Sequence, residues 1–312
     1  MDINFKKLRR FDPLNDYLFY KIMGEKGTEI QLLGFINAVL EETGKDRFTS
    51  VEIIENKTFT PQTLGDKSVI LDVRAKLSDH SKVNVEVQLR NQHNMDKRSL
   101  YYWSKEYSES LLSGQDYQGL PNVISINIVN FNYPPTGNFH SCFHLREDSE
   151  PEIILTESLE IHFLNMVKFR KQEKGELQNS LARWLMWLNK NSPPELVEEA
   201  MKMDAAIQAA NERMVYVTGD REAIRAYERR QMAISDYNSQ MNYARDTGWK
   251  EGLNKGYKKG LKEGREQGIE QGIEQGIEQG IEQVARKMKA RGRPMAEIAD
   301  ETGLSFEVIE NL

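Results

Sequence analysis

Apolar positions recur at helical spacing early in the chain and then at every second position. Over 14–40 they fall three or four residues apart, and Gly24 and Gly27 divide the run, which predicts two helices. The period then changes to two over 51–59, 69–77 and 83–89, which predicts three strands. A helix over 95–112 and a buried strand in PNVISINIVNF follow. The pattern therefore predicts helices packed on a mixed sheet, an α/β fold.

The remaining chain is predicted to be mostly helical. After weaker β patterns over 139–145 and 152–163, helical spacing covers 176–244, with an interruption at Pro193 and Pro194. From Gly248 to Gly280 a glycine recurs every fourth position, and GIEQ repeats four times from Gly268. The last segment predicts three short helices, with Pro294 near one start and Ser305 as an N-cap. We therefore divide the chain into an α/β core over 1–175, a helical region over 176–247, a Gly-repeat tail over 248–283 and a small helix-turn-helix-like module over 284–312.

Two roles are open for the Gly-repeat tail. Nine glycines at about 1 kcal/mol each would cost a lone helix roughly 9 kcal/mol, so a stable isolated helix is not expected. The tail is then either a flexible linker or a stripe of small residues that lets another helix approach closely, and we favour self-association. The terminal SFEVIENL carries two glutamates and no cation, so a protein contact is expected there in preference to DNA reading.

Composition limits the class of protein. With 312 residues and 39% hydrophobic content the chain can bury a core. It shows no N-terminal signal-peptide pattern and no apolar run near the ~18 residues of a membrane span, so a cytoplasmic protein without a membrane partner is expected. A net charge of -6 argues against indiscriminate coating of nucleic acid, although a local basic rim would suffice for a nuclease. Two clusters offer such a rim, although clusters of this kind are more often ordinary solvated surface: Lys97, Arg98 and Lys105, or Lys168, Arg170 and Lys171.

Several other chemistries lack their minimum parts. The single cysteine, Cys142, excludes an intrachain disulfide and a zinc cluster of several cysteines, and a buried packing thiol is its commoner role. The five histidines are scattered along the chain, and no zinc site is expected. Neither a G-x-x-x-x-G-K-[ST] loop nor a G-x-S-x-G turn is present, which argues against NTP hydrolysis and a serine triad.

One predicted strand pair carries candidate chemistry. In LDVRAKL and KVNVEVQL, apolar residues share one face, and polar residues, including Asp72, Glu86 and Gln88, share the other. A hairpin centred on Asp79 would pair positions that sum to 158, which sets Asp72 opposite Glu86 with Cβ atoms ~5 Å apart. Two carboxylates that close repel unless a cation lies between them.

An Asp and a Glu beside a polar Gln suit phosphodiester hydrolysis. Carboxylate oxygens bind Mg²⁺, or another divalent cation such as Mn²⁺, and the ion activates a bound water. Gln88 would orient that water or the phosphate. An antiparallel pair with one wet face shows the same alternation without any function, so the pattern alone leaves both interpretations open.

The motifs resemble the Rpn-type family of recombination-promoting nucleases and transposases, within the PD-(D/E)XK superfamily. The resemblance covers about the first half of the chain and rests on NDYLFYKIMG, LDVRAK, VNVEVQL and KRSLYYWSKEYSESLLSGQDYQGLPNVISINIVNF. It implies a restriction-endonuclease-like core over 1–175 with Asp72 and Glu86 as metal ligands. Gln88 then takes the place of the superfamily's usual lysine, a departure from its signature.

The resemblance also suggests roles for neighbouring residues. Asp16 matches the position of a further acid and is a metal ligand by that interpretation, or else a helix N-terminal charge favoured by the macrodipole. Arg98 and Tyr101, with Lys97 of the basic cluster, would hold DNA phosphates. We therefore expect a Mg²⁺-dependent DNA endonuclease of the recombination-promoting type. A catalytically silent DNA-binding transposition accessory and an oligomerising regulatory protein stay open as alternatives.

Overall fold

A computed structural model of the chain describes residues 11–54, 73–111, 114–172, 177 and 179–312. The chain divides into two compact units, Met1–Ile234 and Ser235–Leu312. Asp72, one of the predicted site residues, lies outside the described residues. Elements are numbered below in chain order.

The first unit contains a sheet and most of the helices. Its strands are β1 (Val51–Ile54), β2 (Val73–Leu77), β3 (Lys82–Gln88), β4 (Val123–Val129), β5 (His140–Phe143) and β6 (Leu159–Asn165). Its helices are α1 (Asp16–Met23), α2 (Glu29–Glu41), α3 (Met95–Ser108), α4 (Met166–Phe169), α5 (Ser180–Leu188), α6 (Pro194–Met203) and α7 (Ala205–Val217). The predicted helix pair, the helix after β3 and the helical region after 176 are confirmed.

The six strands form one mixed sheet in the order β1-β2-β3-β4-β6-β5. β3, β4 and β6 run parallel, and the other neighbours pair antiparallel. β4, VISINIV, is buried along its whole length, as expected for a central parallel strand covered on both faces. The α/β fold class is therefore confirmed.

Helices cover both faces of this sheet. Val83 and Val85 of β3 join the main apolar core with α1, α2 and α5 to α7. On the opposite face, Met95 at the start of α3 packs with Val129, Ile161 and Phe163. The polar residues of β3 alternate with its valines, so they point toward the α3 side.

Gly34 marks a close approach between α2 and α7. A Cβ at this position would lie 2.4 Å from Ala206 Cβ, closer than real Cβ contacts allow, and 3.3 Å from the Trp184 ring, which is a tight contact. Only a residue without a side chain fits here, which brings the two helix backbones together in the core.

The Gly-repeat tail is helical, although the sequence did not predict a stable isolated helix there. Residues Arg221–Ala290 form one continuous helix, α8, which includes the whole repeat. Glu, Gln, Lys and Ile fill most positions between the glycines, and each of these except Ile is a strong helix former. Within the second unit, none of the nine repeat glycines has another described residue within 4 Å of a built Cβ.

The glycines alternate with a row of large exposed side chains. Each glycine from Gly248 to Gly260 precedes one of Trp249, Leu253, Tyr257 and Leu261, and the GIEQ units continue the row with isoleucines. Positions four apart turn ~400° around a helix, so the row drifts ~40° per step.

The chain ends in a small helical module in the second unit. α9 (Met295–Thr302) and α10 (Phe306–Asn311) bury Ile298 and Ile309 against Ala285 of α8. The Ser305 hydroxyl accepts from Val308 N at 3.3 Å, which confirms the predicted N-cap, and Gly303 ends α9 at φ 70°. The first of the three predicted helices is the end of α8. Among the described residues, no helix has both the length and the apolar content to cross a bilayer.

Candidate active site

The strand register around the predicted site is the one that the sequence suggested. Four described pairs between β2 and β3 sum to 158: Val73 with Val85, Arg74 with Asn84, Ala75 with Val83 and Lys76 with Lys82. The apolar residues of β2 are buried and its polar residues are half-buried, as the alternation predicts. Asp72 itself lies outside the described residues, so the Asp72–Glu86 pair stays a prediction.

Glu86 is a buried carboxylate that pairs with the half-buried Arg98. Its residue is 3% exposed, and Oε1 accepts from Arg98 Nε at 2.7 Å and lies 2.5 Å from Arg98 Nη2. Burial raises the pKa of Glu86 above its usual value, while the charge and hydrogen bond of Arg98 lower it. The site therefore holds a carboxylate whose charge is only partly compensated.

The second oxygen of Glu86 is the part that fits a cation. Oε2 is buried and has no hydrogen-bond partner among the described residues. A buried polar atom in that state normally costs about 1–3 kcal/mol, so unpartnered atoms of this kind mark sites that another group completes. A divalent cation with oxygen ligands matches an anionic donor of this type.

Gln88 lies two residues after Glu86 at the carboxyl end of β3. It is half-buried, and its Nε2 donates to the Arg90 carbonyl at 3.0 Å. Because alternate strand residues share a face, its amide lies on the same side of the sheet as Glu86. One amide hydrogen is thus used locally, and the amide oxygen is an acceptor that could orient a water.

The three predicted DNA contacts lie on α3, over the polar face of β3. Lys97 and Tyr101 are exposed, as a surface contact requires. Arg98 is placed differently, because its guanidinium binds Glu86 and lies 5.1 Å from the Tyr102 ring centre. The structure therefore gives Arg98 a role in compensating the Glu86 charge.

A second carboxylate on α3 escaped the sequence reasoning. Glu106 is buried, its Oε2 accepts from Arg74 Nε at 2.7 Å, and its Oε1 lies 3.2 Å from Lys82 Nζ. Arg74 and Lys82 are on β2 and β3, so this ion-pair cluster holds α3 against the sheet. The sequence does carry a signal for this cluster: Arg74 and Lys82 lie on the polar face of the strand pair, and the helix that follows carries the acidic Glu106.

Asp16 is the first residue of α1. Its Oδ1 accepts from Tyr17 N at 2.9 Å, and its Oδ2 lies 3.0 Å from Arg230 Nη2 of α8. Asp16 thus pairs with Arg230, whereas Glu86 pairs with Arg98. Among the described side chains, one cluster of three potential metal ligands is found, and it consists of Cys142, His144 and Glu160. This cluster includes neither Asp16 nor Glu86.

Part of the second basic cluster lies at the carboxyl end of the parallel strands. Asn130 N donates to the Gln88 carbonyl at 3.1 Å, and exposed Arg170 donates to the Asn130 side chain. Lys168 is bound to the loop carbonyls of Pro134 and Thr136, and desolvation lowers its pKa. Arg170 is therefore the member of this cluster that the structure links to the Gln88 end of β3.

Comparison with known proteins identifies one family. A family model described as PD-(D/E)XK nuclease family transposase matches residues 13–244, which is 232 of the 312 residues. The match includes the sheet, the helices on both of its faces and the start of α8. No curated protein and no solved structure gave a significant match to the chain. The family match confirms the resemblance found in the sequence.

Proposed function

The chain belongs to the PD-(D/E)XK nuclease family transposases, and on that premise we propose that it is a divalent-cation-dependent DNA endonuclease of the recombination-promoting type. The proposed substrate is double-stranded DNA and the reaction is phosphodiester hydrolysis by water. The proposed place of action is the cytoplasm. The proposal rests most directly on the Glu86 carboxylate, which is buried with one oxygen unpartnered among the described residues.

The proposed cation ligands are Asp72 and Glu86. Val73 pairs with Val85, and the same register applied one position earlier predicts Asp72 opposite Glu86. Bound there, Mg²⁺ or Mn²⁺ would polarise a phosphoryl oxygen and lower the pKa of a bound water. Asp16 is a weaker candidate for a third ligand, because Arg230 already pairs with its carboxylate.

The chain's own residues would orient the reactants. The Gln88 amide oxygen would accept a hydrogen bond from the attacking water, since its nitrogen is held on Arg90. Unlike a lysine, Gln88 brings no charge to the phosphate, so more of the electrostatic stabilisation must come from the ion. Arg98 would keep Glu86 ionised and oriented, and exposed Lys97 and Tyr101 of α3 would contact the DNA backbone.

Cleavage of supercoiled plasmid tests this proposal. The wild-type chain should convert plasmid to nicked or linear DNA with Mg²⁺ and not with EDTA. Asp72→Asn and Glu86→Gln should each reduce the rate at least ~100-fold, because each removes a proposed ligand of the ion. Glu52→Gln, an exposed carboxylate on β1 of the same sheet, is the matched control and should cleave at the wild-type rate.

The same assay separates the alternatives. Equal nicking by the wild-type chain and both site variants would remove the nuclease proposal. DNA binding without cleavage, unaffected by Asp72→Asn, would instead support a catalytically silent transposition accessory. No cleavage and no DNA binding, with assembly that survives loss of 1–175, would support an oligomerising regulatory protein.

We further propose that the chain self-associates through α8 or the terminal module. Support comes from the row of exposed apolar residues beside the repeat glycines, exemplified by Trp249, Leu253 and Tyr257. An unburied row of this size favours a partner helix. Removal of 284–312 tests the module, and removal of 248–312 tests the module together with the repeat. Unchanged mass of both truncated chains in sedimentation equilibrium would contradict self-association.

A further inference from the structure

Three potential metal-binding side chains meet at the edge of the sheet, away from Glu86. Cys142 belongs to the edge strand β5, His144 follows that strand, and Glu160 belongs to the neighbouring strand β6. β5 and β6 pair antiparallel, with Cys142 opposite His162. Because alternate strand residues share a face, Cys142 and His144 lie on one side of the sheet with Glu160 and His162.

The distances between these atoms approach those of a metal-ligand set. Cys142 Sγ lies 3.8 Å from His144 Nδ1 and 3.9 Å from Glu160 Oε1. One ligand atom from each of the three residues lies within 4.8 Å of the others. Tetrahedral Zn²⁺, with bonds of ~2.3 Å to sulfur and ~2.0 Å to nitrogen or oxygen, needs the sulfur ~3.5 Å from its neighbouring ligand atoms. Small side-chain rotations would close the remaining gap.

The neighbouring histidines hold the carboxylate in place. His162 Nε2 lies 2.8 Å from Glu160 Oε1, and His140 Nε2 lies 2.9 Å from His162 Nδ1. Since a carboxylate accepts, His162 donates from Nε2 and, when neutral, accepts from His140 at Nδ1. Outer hydrogen bonds of this kind orient metal-binding carboxylates.

Lys45 is the competing partner for Glu160. Its ammonium pairs with Glu160 Oε2, and Glu160 is fully buried, so a structural ion pair is the rival explanation of the cluster. That explanation accounts for Lys45, Glu160 and His162 and for the Cys142 thiol as a long hydrogen-bond donor to Glu160 at 3.9 Å, but it does not require the His144 imidazole, whose Nδ1 lies 3.8 Å from the same sulfur. The Lys45 side chain is 26% exposed and its flexible stem can turn the ammonium to solvent.

We propose that Cys142, His144 and Glu160 form a second cation site, specific for a transition metal of the Zn²⁺ type, with His162 as a positioning residue. Sulfur and imidazole nitrogen favour such metals over Mg²⁺, so this site and the proposed nuclease site take different ions. On binding, the Cys142 thiol loses its proton to solvent as the metal–sulfur bond forms. This site is independent of the proposed function.

Titration of the whole purified chain with Co²⁺, in excess Mg²⁺, tests the proposal. Thiolate ligation of Co²⁺ produces a charge-transfer band in the near ultraviolet, and Cys142 is the single cysteine of the chain, so the band reports this residue alone. We expect a band that saturates at one Co²⁺ per chain and is abolished by Zn²⁺. Absence of the band from folded wild-type protein would overturn the proposal without any variant.

Variants identify the other ligands. His144→Ala should weaken Co²⁺ binding at least ~10-fold, whereas His93→Ala, at an exposed loop histidine, should leave it unchanged. Glu86→Gln should also retain the band, which separates this site from the nuclease site. A band of equal affinity in His144→Ala and wild-type protein would mean that the thiol binds metal nonspecifically and would overturn the site.

Discussion

Replacement of Arg98 by methionine tests the arrangement around Glu86. Methionine keeps much of the side-chain length and removes the charge, so Glu86 loses the partner that binds its Oε1. Breaking a buried ion pair by removing one partner costs about 3–5 kcal/mol, because the remaining charge is left uncompensated. The Arg98 side chain is 26% exposed and solvent screens the pair, so we expect a smaller loss, about 2–3 kcal/mol, in the free energy of unfolding.

The loss should depend on pH with a defined sign. Burial already raises the folded-state pKa of Glu86, and removal of Arg98 removes the contribution that lowers it. A carboxyl with a raised folded-state pKa contributes most stability below its unfolded pKa, and this contribution is lost as pH rises through the folded-state pKa. The destabilisation by Arg98→Met should therefore be larger near about pH 8 than near about pH 5.

Urea unfolding followed by tryptophan fluorescence measures this effect, since Trp184 and Trp187 are buried in the main core. Lys97→Met, one position away and exposed, should change the unfolding free energy by less than about 0.5 kcal/mol. In a Glu86→Gln background the cost of Arg98→Met should fall by at least ~1 kcal/mol, because no buried charge remains to be compensated. An equal cost in both backgrounds would refute the proposed coupling.

Three further predictions follow from other parts of the chain. Gly34→Ala should lower the free energy of unfolding by about 1–3 kcal/mol in urea titrations, because the new Cβ would meet Ala206; an unchanged midpoint would contradict the close helix approach. Gln88→Lys should retain Mg²⁺-dependent plasmid cleavage, because it restores the charge of the superfamily position; complete loss would show that the neutral amide is required. A peptide of residues 248–283 should be mostly unfolded by circular dichroism at low concentration, given the glycine cost of roughly 9 kcal/mol, and strong concentration-independent helicity would contradict that estimate.

Local alternation was enough to predict the strand pair at the candidate site. The pairing of Val73 with Val85 followed from the turn at Asp79 and from which residues are apolar, since a shift by one residue would expose the valines. The burial of Glu86 did not follow from the same pattern, because a polar strand face is ordinarily wet. It depends on α3 lying across that face, which places Arg98 on the carboxylate.

The Cys142 cluster shows where sequence spacing misled the prediction. His140 and His144 lie four residues apart, but His140–Phe143 forms a strand and not a helix, so His140, Cys142 and His144 alternate as a strand requires. Glu160 and His162 repeat this spacing on β6, which was also a predicted β region. The missing information was the pairing of the two strands, because the long connection between them does not fix a register.

Local propensity did not predict the continuous helix of the Gly-repeat tail. The glycine cost is additive in an isolated helix, yet residues Arg221–Ala290 are helical throughout. Within the second unit, no other described residue contacts the repeat glycines. The mass measurements on the truncated chains therefore test whether a second helix packs on this stripe.

Direct measurement of Mn²⁺ binding tests the central claim, that Asp72 and Glu86 together hold one divalent ion. Loss of the free Mn²⁺ signal in electron paramagnetic resonance measures bound ion, and a Cys142→Ser background removes the thiol of the second site. The account predicts one Mn²⁺ bound per chain, with affinity reduced at least ~10-fold by Asp72→Asn or Glu86→Gln and unchanged by Glu52→Gln. Wild-type affinity in both site variants would contradict it.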